Sequence, residues 1–268
     1  MTENKTGILY LIPSNLGENT IDNILVKQVK EVVDSLTHFI VENDKTARKF
    51  LKEVGIITPQ NQLSLYVYEK RTPAEEWRKY LKLLEQGTSV GLLSEAGCPA
   101  VADPGAEIVK LAHQKDIRVM PLVGASSIML SLMASGFNGQ SFTFNGYLPI
   151  DRPNRIQRIK ELEKLAQRNR QTQIFIETPY RNNHLIEDII KTCSPTTLLS
   201  ISCDLTTTTE FIKTQTIAQW QNHQLDLHKR PAIFLLYSNE QVLVQKEEQP
   251  KKEFNKPRSN FSKQRARR

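Results

Sequence analysis

Two glycine turns, Glu95-Ala96-Gly97-Cys98-Pro99 and Asp103-Pro104-Gly105, lie between an apolar run at 89–93 and a helix-like stretch at 106–115. Acids, glycines and prolines at the end of a buried strand mark the edge of an open α/β sheet, where such folds bind ligands. The turns do not spell GxGxxG, the loop after the first strand (PSNLGEN) has one glycine, and no GKS/T lysine is present. A pyrophosphate cofactor is therefore poorly matched, and acidic side chains at the turns would repel phosphate. They suit a ligand with cationic and hydroxyl groups. Ala96, Gly97, Gly124, Ala125 and Ser126 are small enough for backbone to approach it closely.

S-adenosylmethionine has those properties: an ammonium, a sulfonium, a ribose diol, an adenine and no phosphate. A purely structural reading is also open, and for Asp103 and Gly105 it is the preferred one. Gly97 and Gly105 would simply make tight turns, and Asp103 would cap the helix after Pro104. The histidines at 38, 113, 184, 223 and 228 form no triad or metal spacing, so no metal site is expected. Cys98, Cys193 and Cys203 are odd in number and far apart, which suggests neither a disulfide framework nor a zinc site.

The elements that must position these turns follow from periodicity. An apolar run at 7–12, ended by Pro13, reads as a buried strand. Asn19 or Thr20 would cap a helix with one apolar stripe from Ile21 to Leu36. Strands at 38–42, 63–68, 89–93 and 117–122 alternate with helices at 45–54, 74–86 and 106–115, which favours a parallel sheet. The pattern restarts near residue 122. Helices at 126–134, 154–168 and 182–192 then alternate with strands at 141–145, 172–177 and 197–203, and the segments at 206–213 and 232–237 also read as extended. The expected class is α/β, with two α/β domains (1–122 and 123–245) and a cleft between them, followed by a tail at 246–268.

At 268 residues, with 39% hydrophobic and 24% charged, the chain has the composition of an ordinary soluble domain pair. No apolar run reaches the ~18 residues of a membrane span, and the start does not read as a signal peptide. A reducing cytoplasm is the expected location. The formal charge of +7 is confined to the tail, because residues 250–268 hold eight Lys/Arg and one acid, leaving the body neutral. Phe254 and Phe261 stand among those cations, a pattern that suits unpaired bases and phosphates, so the tail is expected to be disordered alone and to contact RNA.

The ordered motifs SEAGCP, VADPG, PLVGASSIM, FNGYLP and ETPYR resemble those of the tetrapyrrole-methylase-like (class III) S-adenosylmethionine-dependent methyltransferases. The branch most similar is that of the small-subunit ribosomal RNA ribose 2′-O-methyltransferases, and the likeness covers roughly residues 7–238. The resemblance implies S-adenosylmethionine held between two domains, usually in a homodimer. It places the donor against Pro13 and Ser14, against Glu95, Ala96, Gly97, Cys98 and Pro99, and against Gly124, Ala125 and Ser126. Glu177, Thr178, Pro231 and Ala232 complete the set. A ribose hydroxyl is a poor nucleophile that profits from a base. Glu177 is the candidate for that role, and Arg181 for holding a substrate phosphate. Each has a plainer alternative, a helix cap for Glu177 and a surface cation for Arg181.

The chain also departs from the family pattern. Glu95 and Cys98 replace an Asp and a Thr, VGASS replaces PGPSA, and ETPYR replaces ESPHR. ENDKTARK stands for an EDTR element, and only Cys203-Asp204-Leu205-Thr206-Thr207 remains of a RELTK element. Two alternatives therefore accompany the RNA reading. One is the same fold acting on a tetrapyrrole or a protein side chain. The other is a ribosome-binding protein with a decayed site.

Overall fold

The computed structural model describes residues 6–18, 20–68 and 72–238. The first five strands, β1 (Ile8–Ile12), β2 (His38–Val41), β3 (Ser64–Val67), β4 (Val90–Leu93) and β5 (Arg118–Pro121), form one sheet in the order β3-β2-β4-β1-β5. Every pairing in it is parallel, as the alternation of strands and helices implied. Period-two alternation sends Phe39, Val41, Leu93 and Ile12 to one face and Leu9, Ile40, Val90 and Leu92 to the other.

Helices α2 (Lys27–Ser35) and α3 (Asp44–Val54) cover the first face, and α4 (Ala74–Glu85) and α5 (Ala106–Gln114) the second. The sheet is therefore buried on both sides, which explains why its strands read as continuous apolar runs. Helix α3 starts where the Asn43 side chain accepts from the Lys45 and Thr46 amides, and it stops at Gly55, φ 74°. That start places Glu42 and Thr46 at the carboxyl edge of the sheet.

The second sheet has the order β6-β7-β10-β8-β9, from β6 (Phe142–Tyr147), β7 (Thr172–Ile176), β8 (Leu198–Cys203), β9 (Phe211–Thr216) and β10 (Ala232–Tyr237). Only β6 and β7 pair in parallel, and the rest is antiparallel. Leu132 of α6 (Ser127–Ser135) packs on Ile174, Ile233 and Leu235. On the opposite face α7 (Arg152–Asn169), α8 (Asn182–Thr192) and α9 (Ile217–Trp220) bury Phe175, Phe234 and Leu236. The described residues fall within one compact unit, Met1–Ser238. No helix among them is long and apolar enough to cross a membrane.

Two expected elements differ. The stripe from Ile21 to Leu36 is broken into α1 (Ile21–Ile24) and α2, because Leu25 and Val26 are extended. The Thr20 hydroxyl donates to the Gly17 carbonyl at 3.0 Å instead of capping α1, and Asn19 lies outside the described residues. The segment at 206–213 is extended only from Phe211 onwards. Before it the Thr207 hydroxyl closes on the Asp204 carbonyl at 2.8 Å, and Asp204 and Thr206 take φ of 50° and 72°. Threonine hydroxyls that satisfy nearby backbone compete with strand formation, a competition that β-propensity does not register.

Gly91 sits in β4, where an added Cβ would meet Ile12 Cδ1 at 2.7 Å and Phe39 Cδ1 at 2.8 Å. Gly91→Ala should overpack this central strand and lower unfolding stability by about 1–3 kcal/mol, as read from denaturant unfolding.

Candidate functional site

The carboxyl ends of β1, β2, β4 and β5 all face one cavity of about 360 Å³. From this side its wall is Leu16, Glu42, Ser94 through Cys98, Val101 through Asp103, and Ser126 through Ile128. The second sheet supplies Phe144, Tyr147, Ile176, Glu177, Ser202, Leu205 and Pro231 through Ile233. Strand β10 runs antiparallel to β7 and β8, so its first residues lie beside the last residues of both. That pairing is why Ala232 and Ile233 meet Ile176 and Ser202 at one edge.

The turn after β4 is held by its own main chain. Gly97 adopts φ 75°, and its carbonyl accepts from the Ser14 amide at 2.9 Å and the Ser94 hydroxyl at 3.0 Å. The Ser14 hydroxyl donates to the Ser94 carbonyl, also at 3.0 Å. Further along, Ala100 and Ala102 have φ of 66° and 64°, a conformation that costs roughly 1–2 kcal/mol per residue without glycine. Asp103 stabilises it by accepting from the Ala100 amide at 3.0 Å and the Gly105 amide at 2.6 Å. The structural reading of Asp103 is thus right in kind, although Gly105 is the residue at the α5 N-cap position and no side chain caps there. Asp103 nevertheless also lines the cavity.

Glu42 and Glu95 form a second tie. Glu42 accepts from the Glu95 amide at 3.0 Å, and Glu95 accepts from the Thr46 hydroxyl at 2.6 Å. Burial pushes the Glu42 carboxyl above its ordinary range, and the charges of Asp103 and Glu95 add to that. Asp103 is also raised, again by burial, against the effect of its two amide donors. The Tyr68 hydroxyl, 1% exposed and without a hydrogen-bond partner among the described residues, is pushed up by burial and then by Asp103, Glu42 and Glu95. The three acids share one field.

Glu177 is buried at the end of β7. Its Oε1 accepts from the Thr178 amide and from Arg181 Nη2, both at 2.6 Å. Among the described residues its Oε2 has no partner, and neither does the buried Ser202 hydroxyl, although both residues line the cavity. Both atoms are enclosed, and leaving them unpaired costs about 1–3 kcal/mol each. The carboxylate lining of the cavity, with no Lys, Arg or His among the described residues that form it, suits an S-adenosylmethionine-like group and not a phosphate.

Of the residues expected at the site, Glu95, Ala96, Gly97, Cys98, Ser126, Glu177, Pro231 and Ala232 come together in this cavity. Pro13, Gly124 and Ala125 instead line a crevice of about 10 Å³, as does Ser14, which also lines a second cavity of about 210 Å³ that shares Leu16, Glu42, Ser94, Glu95 and Ala96 with the first. A Cβ on Gly124 would lie 2.2 Å from Pro13 Cγ, so that glycine serves loop packing. Pro99 and Thr178 are outside the lining, and Arg181 is paired to Glu177 rather than presented to the cavity. Neither plain reading of this pair describes the geometry, since Glu177 does not cap α8 and Arg181 is not a free surface cation. Glu42, in ENDKTARK, and Phe144 and Tyr147, in FNGYLP, belong to stretches of the resemblance but not to its expected site set; Ser202 and Asn182 belong to neither, and the buried Asn182 amide donates to the Arg230 carbonyl at 2.6 Å and fixes the approach to Pro231. A charged or polar residue within an otherwise apolar strand end was the available signal.

No family model matches the chain. It is similar to Ribosomal RNA small subunit methyltransferase I of Vibrio cholerae serotype O1, with 29% identity over 82% of this chain and 74% of that protein. The protein of the same name from Buchnera aphidicola subsp. Schizaphis graminum shows 27% identity over 91% and 82%. The one from Bacillus subtilis shows 33% over 65% and 56%. Among solved structures, diphthine synthase aligns with a TM-score of 0.61 at 13% identity, covering 86% of this chain and 89% of its own. The methyltransferase CobJ aligns with a TM-score of 0.58 at 16% identity, covering 87% and 94%. The expected fold is borne out by these neighbours.

Glu42 ionises less readily folded than unfolded, so its contribution to stability is complete below its unfolded ionisation range and is lost as pH rises through the raised folded one. Glu42→Gln keeps the acceptor for the Glu95 amide and should melt above the wild type near neutral pH. The gap should close on acidification, as followed by thermal melts across pH.

Proposed function

We propose, from its place among the tetrapyrrole-methylase-like methyltransferases, that this chain methylates a ribose 2′-hydroxyl of small-subunit ribosomal RNA with S-adenosylmethionine as donor. The observation that carries this reading is the cavity at the strand ends, built from the motif turns and lined by carboxylates and small residues, with no Lys, Arg or His among the described residues that form it. When bound, the donor supplies an activated methyl: the S–CH3 bond breaks with its pair left on sulfur, an O–CH3 bond forms from a hydroxyl lone pair, and the hydroxyl proton is released.

The chain's own task is alignment and exclusion of water, for which effective molarity supplies up to about 7–11 kcal/mol. Glu95, Ala96, Gly97, Ser126, Pro231 and Ala232 would hold the donor. Glu177, whose Oε2 has no partner among the described residues, would take the hydroxyl proton once a ligand opens its enclosed position, and Arg181 would hold that carboxylate through Oε1. The division into two domains near residue 122 fits a cleft at this position, and RNA as substrate fits a cytoplasmic protein.

Two partner readings accompany the site. A second copy of the chain suits the apolar surface around α6, where Val123 is 69% exposed and Met133 75%. The basic tail lies outside the described residues, and its RNA contact rests on its charge and interleaved phenylalanines.

Incubation with labelled donor and immature small subunits should place label on a ribose of the RNA, and label found only on a small molecule or protein would reject the reading. Glu177→Gln should lower turnover about 10²–10⁴-fold while donor affinity by calorimetry changes little. Deleting residues 250–268 should flatten the salt dependence of RNA binding, with a slope change of roughly 0.7 for each phosphate no longer neutralised, and leave donor affinity unchanged.

A further inference from the structure

The second sheet brings three chain segments to one edge of the cavity. Strands β6 and β7 are parallel and β10 is antiparallel to β7, so the end of β6, the loop after β7 and the loop before β10 stand side by side. Two strand spacings separate the first from the last, a span of about 10 Å. These segments carry Tyr147, Pro179-Tyr180 and His228-Lys229. Tyr147 and Pro179 line the cavity, as does Pro231, two residues after Lys229. Tyr147 is 59% exposed and Tyr180 67%. The Tyr180 ring meets His228 edge to face, with centroids 5.9 Å apart, and such a pair covers at most one face of either ring.

The loop before β10 is both strained and fixed. Lys229 takes φ 61°, a left-handed conformation that disfavours any residue but glycine. Its amide donates to the Pro179 carbonyl at 3.0 Å, which ties this loop to the one after β7. The Leu227 amide donates to Asn183 Oδ1 at 2.9 Å, and Asp226 Oδ1 accepts from Asn183 Nδ2 at 2.7 Å and the His228 amide at 2.9 Å. Arg230 is paired with Asp204 at 2.7 Å. The exposed Lys229 side chain forms no ion pair among the described residues. Strain held in place by so many bonds, with a cation and exposed rings at its surface, is a mark of a binding site.

We propose that Tyr180, His228 and Lys229 form the edge on which the acceptor RNA docks: an unpaired base stacks on the Tyr180 ring, and a neighbouring phosphate is held by Lys229. This rests on the reading of the chain as an RNA methyltransferase. The cavity is lined by carboxylic acids and, among the described residues, by no cationic side chain, so a phosphate is repelled from it and must be held outside. Lys229 offers the charge to hold it, with no internal partner to give up. Exposed rings beside a cation bind unpaired nucleotides, because every base has a π-face. His228 sets the Tyr180 ring through their contact. A base taken out of its stack exposes the adjoining ribose, which the mouth at Pro179 and Pro231 would receive. Tyr180 also stands where ETPYR departs from ESPHR, so the ring belongs to this chain and not to the family pattern.

Binding of the full chain to a single-stranded oligoribonucleotide, and to the same sequence as a duplex, tests this. Tyr180→Ala should weaken single-strand binding about 5–100-fold and duplex binding little, whereas Tyr180→Phe, which keeps the ring face, should bind as the wild type does. Lys229→Gly suits the left-handed backbone and should fold at least as well as the wild type, yet lower the slope of log affinity against log salt by about 0.7, the share of one phosphate on a single strand. In methyl transfer to immature small subunits, Tyr180→Ala and Lys229→Gly should raise KM more than they lower kcat, with S-adenosylmethionine affinity by calorimetry unchanged. Wild-type RNA affinity in both variants would overturn the proposal. So would a Tyr180→Phe variant as weak as Tyr180→Ala, an equal loss on single strand and duplex, or a matching loss of donor affinity. A wild type that labels no RNA would instead overturn the reading of RNA as substrate and this proposal with it, a result distinct from RNA labelling that is indifferent to these residues.

Discussion

Ser14 and Gly97 lock together the carboxyl ends of two neighbouring parallel strands, β1 and β4, through the Ser14 amide and the Gly97 carbonyl. The bond requires a left-handed residue at 97, and a side chain there would approach Leu16 to 3.2 Å while strained at φ 75°. With that anchor in place, the turn from Ser94 to Asp103 cannot drift away from the sheet. Its main chain stays at the cleft surface, and the acids of the turn face the same space as Glu42 from the end of β2. The positive φ at Ala100 and Ala102, stabilised by Asp103, extends the same rigid surface. Strain and hydrogen bonding together pre-organise a wall that is mostly backbone.

The acids on this wall set stability against binding. Each is tied to an amide or hydroxyl, yet burial raises the Glu42 and Asp103 carboxyls, and repulsion from its neighbours raises Glu42 further.

The second sheet contributes a different kind of wall. Its floor is apolar, from Phe144, Ile176 and Ile233, with Glu177 and Ser202 beside it at the strand ends. Neighbours outside the cavity place its edge. Arg181 holds one oxygen of the enclosed Glu177 carboxylate, and Asn182 fixes the Arg230 carbonyl and with it the start of β10. Precision here comes from side chains at the start of α8, which pack against the sheet edge and touch no ligand surface.

The sequence by itself determined the parallel first sheet, most element positions and the turns at Glu95–Pro99 and Gly124–Ser126, because apolar period and glycine or proline placement are local signals. Its motif order also carried the fold, through likeness rather than physics. It misjudged the break at Leu25–Val26 and the turn at Thr206–Thr209, where tertiary contacts and hydroxyl bonding outweigh propensity. Which small residues face the cavity was not legible: Gly97 does, whereas Gly124 packs on Pro13, and the two read alike as glycines in turns. Glu177 and Arg181 stand one helical turn apart, so their pairing was within reach of a local pattern, whereas the gathering of Glu42 with Glu95 and Asp103 was decided only in three dimensions. Glu42 and the turn at Glu95 meet through strand order, and no local pattern encodes the order in which parallel strands are laid side by side.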